Sequence, residues 1–476
     1  MKFKFNAQEF TGSMHHTNWW LLVLICLGQV GLIALPAFMG ELVPVISVLV
    51  LISVLALLHS ISYAILYMCL MAAVIPFWFA FQHLLLPLNF TFYEGLLMVV
   101  LAFAGLDWLL GGRLAWRRST RLDLPVMVFI SLLFFSMLLG QFYNQSTSQM
   151  LRDVRAPLYY VLFFVTTGFF DVRKSQTFLY VVVAAAAIVG IEYLAEFFDV
   201  INLSVSGSFF RVSRLEGLLL PIGTLVVSAI FLFDTPSRQL VCGFALIPIS
   251  IALVLTVGRG MWIATAVGMM CLAGLIFLDR QMREDRGSRL FMLVLVPILV
   301  FSLGYVFQNL THTAVGSTAL RRVTRVVTDY ESDHSLRGRF LAYNAAVEKI
   351  LVRPFLGGGH GQTITVVGLD EKGMRGVATL GGVDNVYLTV LLRMGIVGLA
   401  SFLWIYIRGI RLAYGLFQRA GPPSIRLFCA SFIAVYSGML VYGMADGTLV
   451  GNQLIFFHAA FLGILARLDS EAQENA

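Results

Sequence analysis

Leu290–Leu310 reads LFMLVLVPILVFSLGYVFQNL, twenty-one residues without a charged side chain. Coiled as a helix at about 1.5 Å per residue, such a run matches the roughly 30 Å of hydrocarbon in a bilayer. Outward from it, apolar runs bounded by charges, Gly or Pro recur at about 19–39, 42–58, 61–84, 90–110, 122–142, 157–170, 177–198, 216–233, 240–257, 260–278, 384–407, 426–445 and 450–467. With the first run that makes fourteen. The sequence predicts an all-α polytopic membrane protein with about 14 transmembrane helices and one long, partly helical loop before the twelfth span.

Composition agrees with that reading. Of 476 residues, 59% are hydrophobic and only 12% charged, with a mean hydropathy of +0.86. A water-soluble domain is nearer half apolar and a quarter charged, so a soluble fold is excluded, as are disorder, collagen and coiled coil. The five cysteines, Cys26, Cys69, Cys242, Cys271 and Cys429, all fall inside apolar runs without paired spacing. They read as packing residues and not as metal ligands or disulfide partners. Lys2 and Lys4 precede a first apolar run with no small-residue cleavage site after it, the pattern of an anchor. No repeat of twenty to fifty residues is visible.

An even number of spans puts both termini on one side, and the basic residues of the short loops say which. With the N-terminus inside, eighteen Lys and Arg fall in cytoplasmic segments, among them Arg117, Arg118, Arg283, Arg286, Arg289, Arg408 and Arg411. Only five fall in short outer loops: Arg152, Arg155, Arg211, Arg214 and Arg259. The expected organisation is a membrane domain of eleven spans at 1–310, a periplasmic loop at 311–383, and three last spans with a cytoplasmic tail at 384–476. The loop holds nine basic and six acidic residues, and its positive excess suits an anionic ligand. Within it, Ser335 opens a helical pattern through Arg339, Tyr343, Ala346, Val347 and Ile350 to the Arg353-Pro354 break.

The most specific segment follows the loop. Asp384-Asn385 is separated by nine residues from Gly395, and by two more from Gly398. This resembles the signature of the bacterial O-antigen ligase and polymerase family, His-Asn, nine residues, Gly, two residues, Gly, with Asp384 where the family has His. Three further segments are similar to that family in its order. Arg214-Leu215-Glu216-Gly217-Leu218 fits an Arg-x-x-Gly span entry, with Ile222 where Asn often stands. Thr256-Val257-Gly258-Arg259-Gly260-Met261-Trp262 fits a Ser-Arg-Gly-aromatic junction, with Gly258 in place of Ser. Arg337-Gly338-Arg339-Phe340 through Pro354 and the Gly357–Gly361 turn fits the loop segment. The resemblance covers about 200–407; earlier residues match in hydropathy alone.

The resemblance implies an inner-membrane glycosyltransferase that moves a glycan from undecaprenyl pyrophosphate to a sugar hydroxyl on the outer face. It implies no cofactor and no metal, and its partners are the lipid-linked oligosaccharide, an acceptor glycan or lipid, membrane lipid and, for a polymerase, a chain-length regulator. Nucleic acid is not among them. Such a reaction must hold developing phosphate charge and remove one hydroxyl proton. Arginine suits the first task through its planar fork, which points to Arg214 and Arg259, then to Arg152, Arg155, Arg211, Arg337 and Arg339. Asp384 is the candidate base, with Asn385 beside it and His360 as a displaced alternative. Against these stand ordinary roles: an arginine snorkelling to headgroups and Asp384 as the N-cap of the following helix. Asp329, Glu331 and Asp333 offer oxygen ligands, although a solvated acidic turn explains them as well. Glu94, Asp107, Glu192 and Glu196 lie in apolar runs, where acids are functional or reach water at an interface. Polymerase is favoured over ligase because the motif His is replaced. A transporter or flippase is the alternative of another class, and it predicts charges near mid-membrane, not at outer mouths.

Overall fold

A computed structural model describes residues 60–75, 92–110, 119–198, 215–256, 258–279, 284–311, 334–367, 376–419, 422–447, 449 and 454–474, all within the unit Ser53–Ala476. The runs expected at 19–39 and 42–58, Arg211, Arg214 and the acidic turn Asp329, Glu331 and Asp333 lie outside these residues. The helices are α1 (Ile61–Val74), α2 (Phe92–Leu110), α3 (Asp123–Phe142), α4 (Thr147–Arg155), α5 (Leu162–Phe169), α6 (Ser175–Phe197), α7 (Leu219–Phe233), α8 (Pro236–Leu255) and α9 (Arg259–Leu278). They continue with α10 (Arg286–Thr311), α11 (His334–Val352), α12 (Val386–Arg419), α13 (Pro423–Tyr442) and α14 (Ile455–Glu474).

Among the described residues, eight helices are long and apolar enough to cross a membrane: α3, α6 through α10, α12 and α13. The expected count of fourteen is therefore supported only in part. The run at 157–170 is one difference. After α4 the backbone stays helical at Ala156 (φ −68, ψ −46) and tightens into a 3-10 turn at Pro157–Val161 before α5. Proline has no N–H for the helical ladder, so this run is the apolar second half of one helical path whose first half, α4, is amphipathic.

Burial ranks the helices from centre to rim. Of the span containing α7, 89% is buried, against 22% for Arg286–Phe307. Small residues explain the centre: Gly223 of α7 lies against Ala186 of α6, and the hydroxyls of Thr224 and Ser228 bond carbonyls of their own helix at 2.8 and 2.7 Å. Close approach of this kind replaces the hydrophobic drive that is missing between helices in lipid. On α10, Phe291, Leu295, Ile298 and Phe301 are exposed. Apolar side chains along a span that touch no protein have lipid for solvent.

The loop before α12 corrects the expectation of an all-α chain. Its helix runs His334–Val352, beginning one residue before Ser335, and a two-stranded antiparallel hairpin follows, β1 (Ile364–Val367) and β2 (Val377–Leu380), with Ile364 opposite Leu380. Ile364 and Val366 alternate inward and form a small core with Ala342, Ala346 and Ile350 of α11 and with Val383 and Leu392. The loop is therefore a folded element seated on α12.

Candidate functional site

Chain direction brings the ends of α6, α8 and α13 and the starts of α7, α9 and α12 to one mouth of the bundle. Gly217 lies against Tyr193 Oη, and Gly260 faces Tyr442 and Ala445, each where a Cβ would crowd the neighbour. The glycines of two family-like segments thus admit close contact at this mouth. Trp262 Nε1 donates to Leu253 O at 3.1 Å and fixes the turn between α8 and α9. Arg259, half-buried, opens α9 at the same mouth and is engaged by a partner there. Glu192, Glu196 and Glu216 are buried at this end.

Over the mouth lies α11. Arg339 Nε donates to Asp384 Oδ2 at 3.3 Å, and Tyr343 Oη donates to the Asp384 carbonyl at 2.7 Å. Burial raises the Tyr343 phenol above its ordinary pKa, which keeps its proton in place as a donor. Asp384 is 63% exposed in its side chain and Arg339 33%. An ion pair so exposed contributes at most about 1 kcal/mol, so a ligand can open it at little cost. The pair uses Arg339 Nε, and a guanidinium carries its other four N–H donors on the two Nη atoms, the fork that suits an anion.

The N-cap reading of Asp384 is corrected. Asn385 Oδ1 accepts the Leu388 N–H at 3.1 Å and so caps α12, while its Nδ2 donates to Met444 O at 3.2 Å. Both ends of the Asn385 amide are therefore engaged within the protein. Asp384 stands one residue outside the helix with its carboxylate directed to Arg339.

His360, considered as a displaced base, is placed elsewhere. It is 1% exposed, its Nδ1 lies 2.7 Å from Ser136 Oγ of α3, and its backbone N–H donates to Ser136 O at 3.1 Å. The Ser136 hydroxyl donates its one proton to Arg393 O at 2.9 Å, so Nδ1 must carry the proton of the 2.7 Å bond. Burial, with Arg393 nearby, pushes the imidazole down to about 3. A ring so buried and neutral holds structure; it does not receive a substrate proton.

The Gly-rich turn around His360 occupies a break in α12. Gly395 has φ +63 and ψ −164 inside that helix. The N–H groups freed there and their neighbours pair with the turn: Ile396 with Pro354 O at 2.8 Å and Val397 with Phe355 O at 3.3 Å, while Gly358 and Gly359 donate to the Leu392 and Arg393 carbonyls at 2.8 and 3.0 Å. Gly357, Gly359 and Gly361 adopt φ of +73, +81 and +87, a region open to glycine without strain. The Gly395 of the signature is thus the socket for the Gly357–Gly361 turn.

Two charged residues that carried no role in the sequence lock this socket. Arg393 pairs with Asp153 at 2.9 Å, at side-chain exposures of 11% and 4%, and donates to Gly381 O at 2.7 Å. Asp153 also accepts the Gly361 N–H at 3.0 Å and Gln149 Nε2 at 2.9 Å. Burial raises the Asp153 carboxyl, opposed first by Arg393. The available signal was Arg393 itself, a charge inside an apolar run that requires a buried partner. Arg155 is likewise committed: its guanidinium pairs with Glu94, which also accepts Tyr159 Oη at 2.6 Å. Arg337 is exposed on the first turns of α11, and Arg152 on α4 is exposed as well. The structure thus brings together Arg339, Asp384 and Asn385 and leaves His360 and Arg155 in structural pairings. At the opposite mouth, Arg426 pairs with Asp279, and Arg121 lies 3.7 Å from Asp469.

These features define a polytopic helical membrane protein with an arginine–carboxylate site at one mouth, covered by a helix-and-hairpin loop. Residues 244–403 match the family model described as O-antigen ligase, which supports the resemblance to the O-antigen ligase and polymerase family. The matched segment contains Arg259, the loop, Asp384, Asn385 and Gly395; Arg152, Arg155, Arg211 and Arg214 precede it. The family comprises glycosyltransferase-like membrane enzymes of lipid-linked glycans. No curated protein matches the sequence.

Proposed function

We propose that this chain is a metal-independent glycosyltransferase of the bacterial inner membrane that transfers a glycan from undecaprenyl pyrophosphate to a sugar hydroxyl on the periplasmic face. The exposed Arg339–Asp384 pair within the family-matched segment carries the reading. The acceptor hydroxyl attacks the anomeric carbon, the bond from that carbon to the pyrophosphate oxygen breaks, and the leaving group departs with the electron pair. Asp384 takes the hydroxyl proton. Arg339 and Arg259 meet the charge developing on the pyrophosphate, with Arg337, Arg211 and Arg214 as further candidate anion contacts. Residues 311–383 form the periplasmic loop on this reading, and both termini are cytoplasmic.

Polymerase is the reading favoured by Asp384 in place of the family His. Ligation to lipid A-core is the second, favoured by the description of the matching family. The experiment is transfer in vitro from undecaprenyl-linked oligosaccharide by purified protein. Because Asn385 and not Asp384 caps α12, Asp384→Asn leaves the helix start intact and removes only the carboxylate. Transfer should fall about a hundredfold or more with folding unchanged, and chelator should leave the wild-type rate as it is. Full activity of the variant would remove Asp384 from the chemistry.

A further inference from the structure

The outward side of α11 carries an apolar stripe, interrupted by the exposed Asn344 and flanked by the exposed Glu348. Phe340, Val347 and Leu351 follow one another at seven and four residues, within an arc of about 40° at ~100° per residue, and Phe355 and Leu356 continue beyond the Pro354 turn. All five are exposed, Leu351 at 72% and Phe355 at 69%. The other side of the same helix, Ala342, Ala346 and Ile350, is packed on the hairpin and on Leu392. Hydrogen bonding fixes the level of the exposed side. The carbonyls of Pro354 and Phe355 accept from Ile396 and Val397, about 15 Å along α12 from its first residue. Ile396 and Val397 are themselves exposed apolar residues of a helix able to cross a membrane. Phe355 and Leu356 therefore share a surface with side chains whose solvent is lipid.

The backbone meets the requirement of that depth. Irregular chain is tolerated there only where its polar groups are satisfied by protein. The N–H groups of Gly357, Gly358, Gly359, His360 and Gly361 donate to Arg353 O, Leu392 O, Arg393 O, Ser136 O and Asp153 Oδ2. At the rim, the Arg353 guanidinium stacks 3.4 Å over the Tyr143 ring, a cation and an aromatic of the kind that sit at headgroup level.

We propose that α11 and the Phe355–Leu356 turn form a re-entrant element seated in the lipid leaflet on the loop side, with acyl chains covering Phe340, Val347, Leu351, Phe355 and Leu356. The Arg339–Asp384 site is then held at the headgroups and does not stand in a domain clear of the membrane. This inference does not depend on the transferase reading, since it concerns solvent and not chemistry.

The test places the photoreactive residue p-benzoylphenylalanine at Phe340, Leu351 or Phe355, one at a time, in full-length protein in its native membrane. Leu138, an exposed apolar residue of α3, and Glu474, on the polar tail, serve as references. Irradiation should give phospholipid adducts, read by mass spectrometry, at the three positions and at Leu138, and none at Glu474. At the three positions and at Leu138 the replacement exchanges one exposed apolar side chain for another, and elution as a single species verifies the fold of every variant. Adducts at Leu138 without adducts at the three positions would overturn the proposal in favour of a water-facing loop. Adducts at twice the protein mass would overturn it in favour of a second copy of the chain as the cover.

Discussion

Acidification should weaken the seat of the Gly-rich turn through one residue. His360 is buried and neutral, donates Nδ1–H to Ser136, and has its pKa pushed down from 6.5 to about 3 by burial and by Arg393. Between those values the unfolded chain binds a proton that the folded chain refuses, so stability rises with pH there and is lost as pH falls below 6.5. At pH 5, about 1.5 units below the unfolded value, the loss from this residue is about 2 kcal/mol at ~1.4 kcal/mol per unit. His360→Asn puts an amide N–H near the Nδ1 position and removes the titration. Thermal unfolding of detergent-purified protein at pH 7.5 and pH 5.0 compares the two chains, and groups common to both cancel in the difference. The wild type should lose about 2 kcal/mol more than His360→Asn over that interval. Equal losses would refute a buried neutral imidazole and reopen His360 as a residue accessible to substrate.

Three further outcomes follow from the same geometry. Gly395→Ala places a Cβ at φ +63 against the Phe355 backbone and should destabilise by at least about 2 kcal/mol, with new protease cutting between 353 and 362 as the turn leaves its socket; an unchanged digest would show that the break in α12 is not needed. Asp153→Ala leaves Arg393 as a buried unpaired cation and should cost about 3–5 kcal/mol, whereas the joint change Asp153→Leu with Arg393→Met should recover only part of it when measured as a double-mutant cycle in thermal unfolding, because the Gly361 N–H loses its acceptor in both. Arg259→Lys keeps the charge but not the fork, so transfer should drop about tenfold if two parallel bonds to phosphate are lost; wild-type turnover would leave Arg259 with a purely structural part.

Much of the architecture was legible in the sequence because bilayer solvent imposes a simple rule on composition: a span must be long, apolar and helical to hide its backbone. That rule found the run at 290–310 and its neighbours, and the resemblance to the family signature found Asp384-Asn385 and Gly395. It misread 157–170 as a separate span because hydropathy does not register a helix that continues from a polar turn through Pro157. It missed the hairpin at 364–367 and 377–380 because four-residue strands are stabilised by what they pack on, here α11 and Leu392, and not by their own pattern.

The site divides in the same way. The family-like segments and the chemistry of arginine and carboxylate were enough to nominate Arg339, Asp384 and Asn385, since a motif is a local property. Their roles were not, because a cap and a free carboxylate differ only in which neighbouring N–H the side chain reaches. Asn385 bonds the Leu388 N–H and Asp384 faces Arg339, and that assignment is made by a helix forty-five residues earlier. Likewise Asp153 and Arg393, 240 positions apart, become a pair only when the Gly357–Gly361 turn enters the break at Gly395. The sequence by itself determined the solvent, the helices and the candidate groups. Tertiary structure decided which charges remain available to a ligand and which are spent on each other, because burial and partners, not residue identity, set the cost of separating an ion pair.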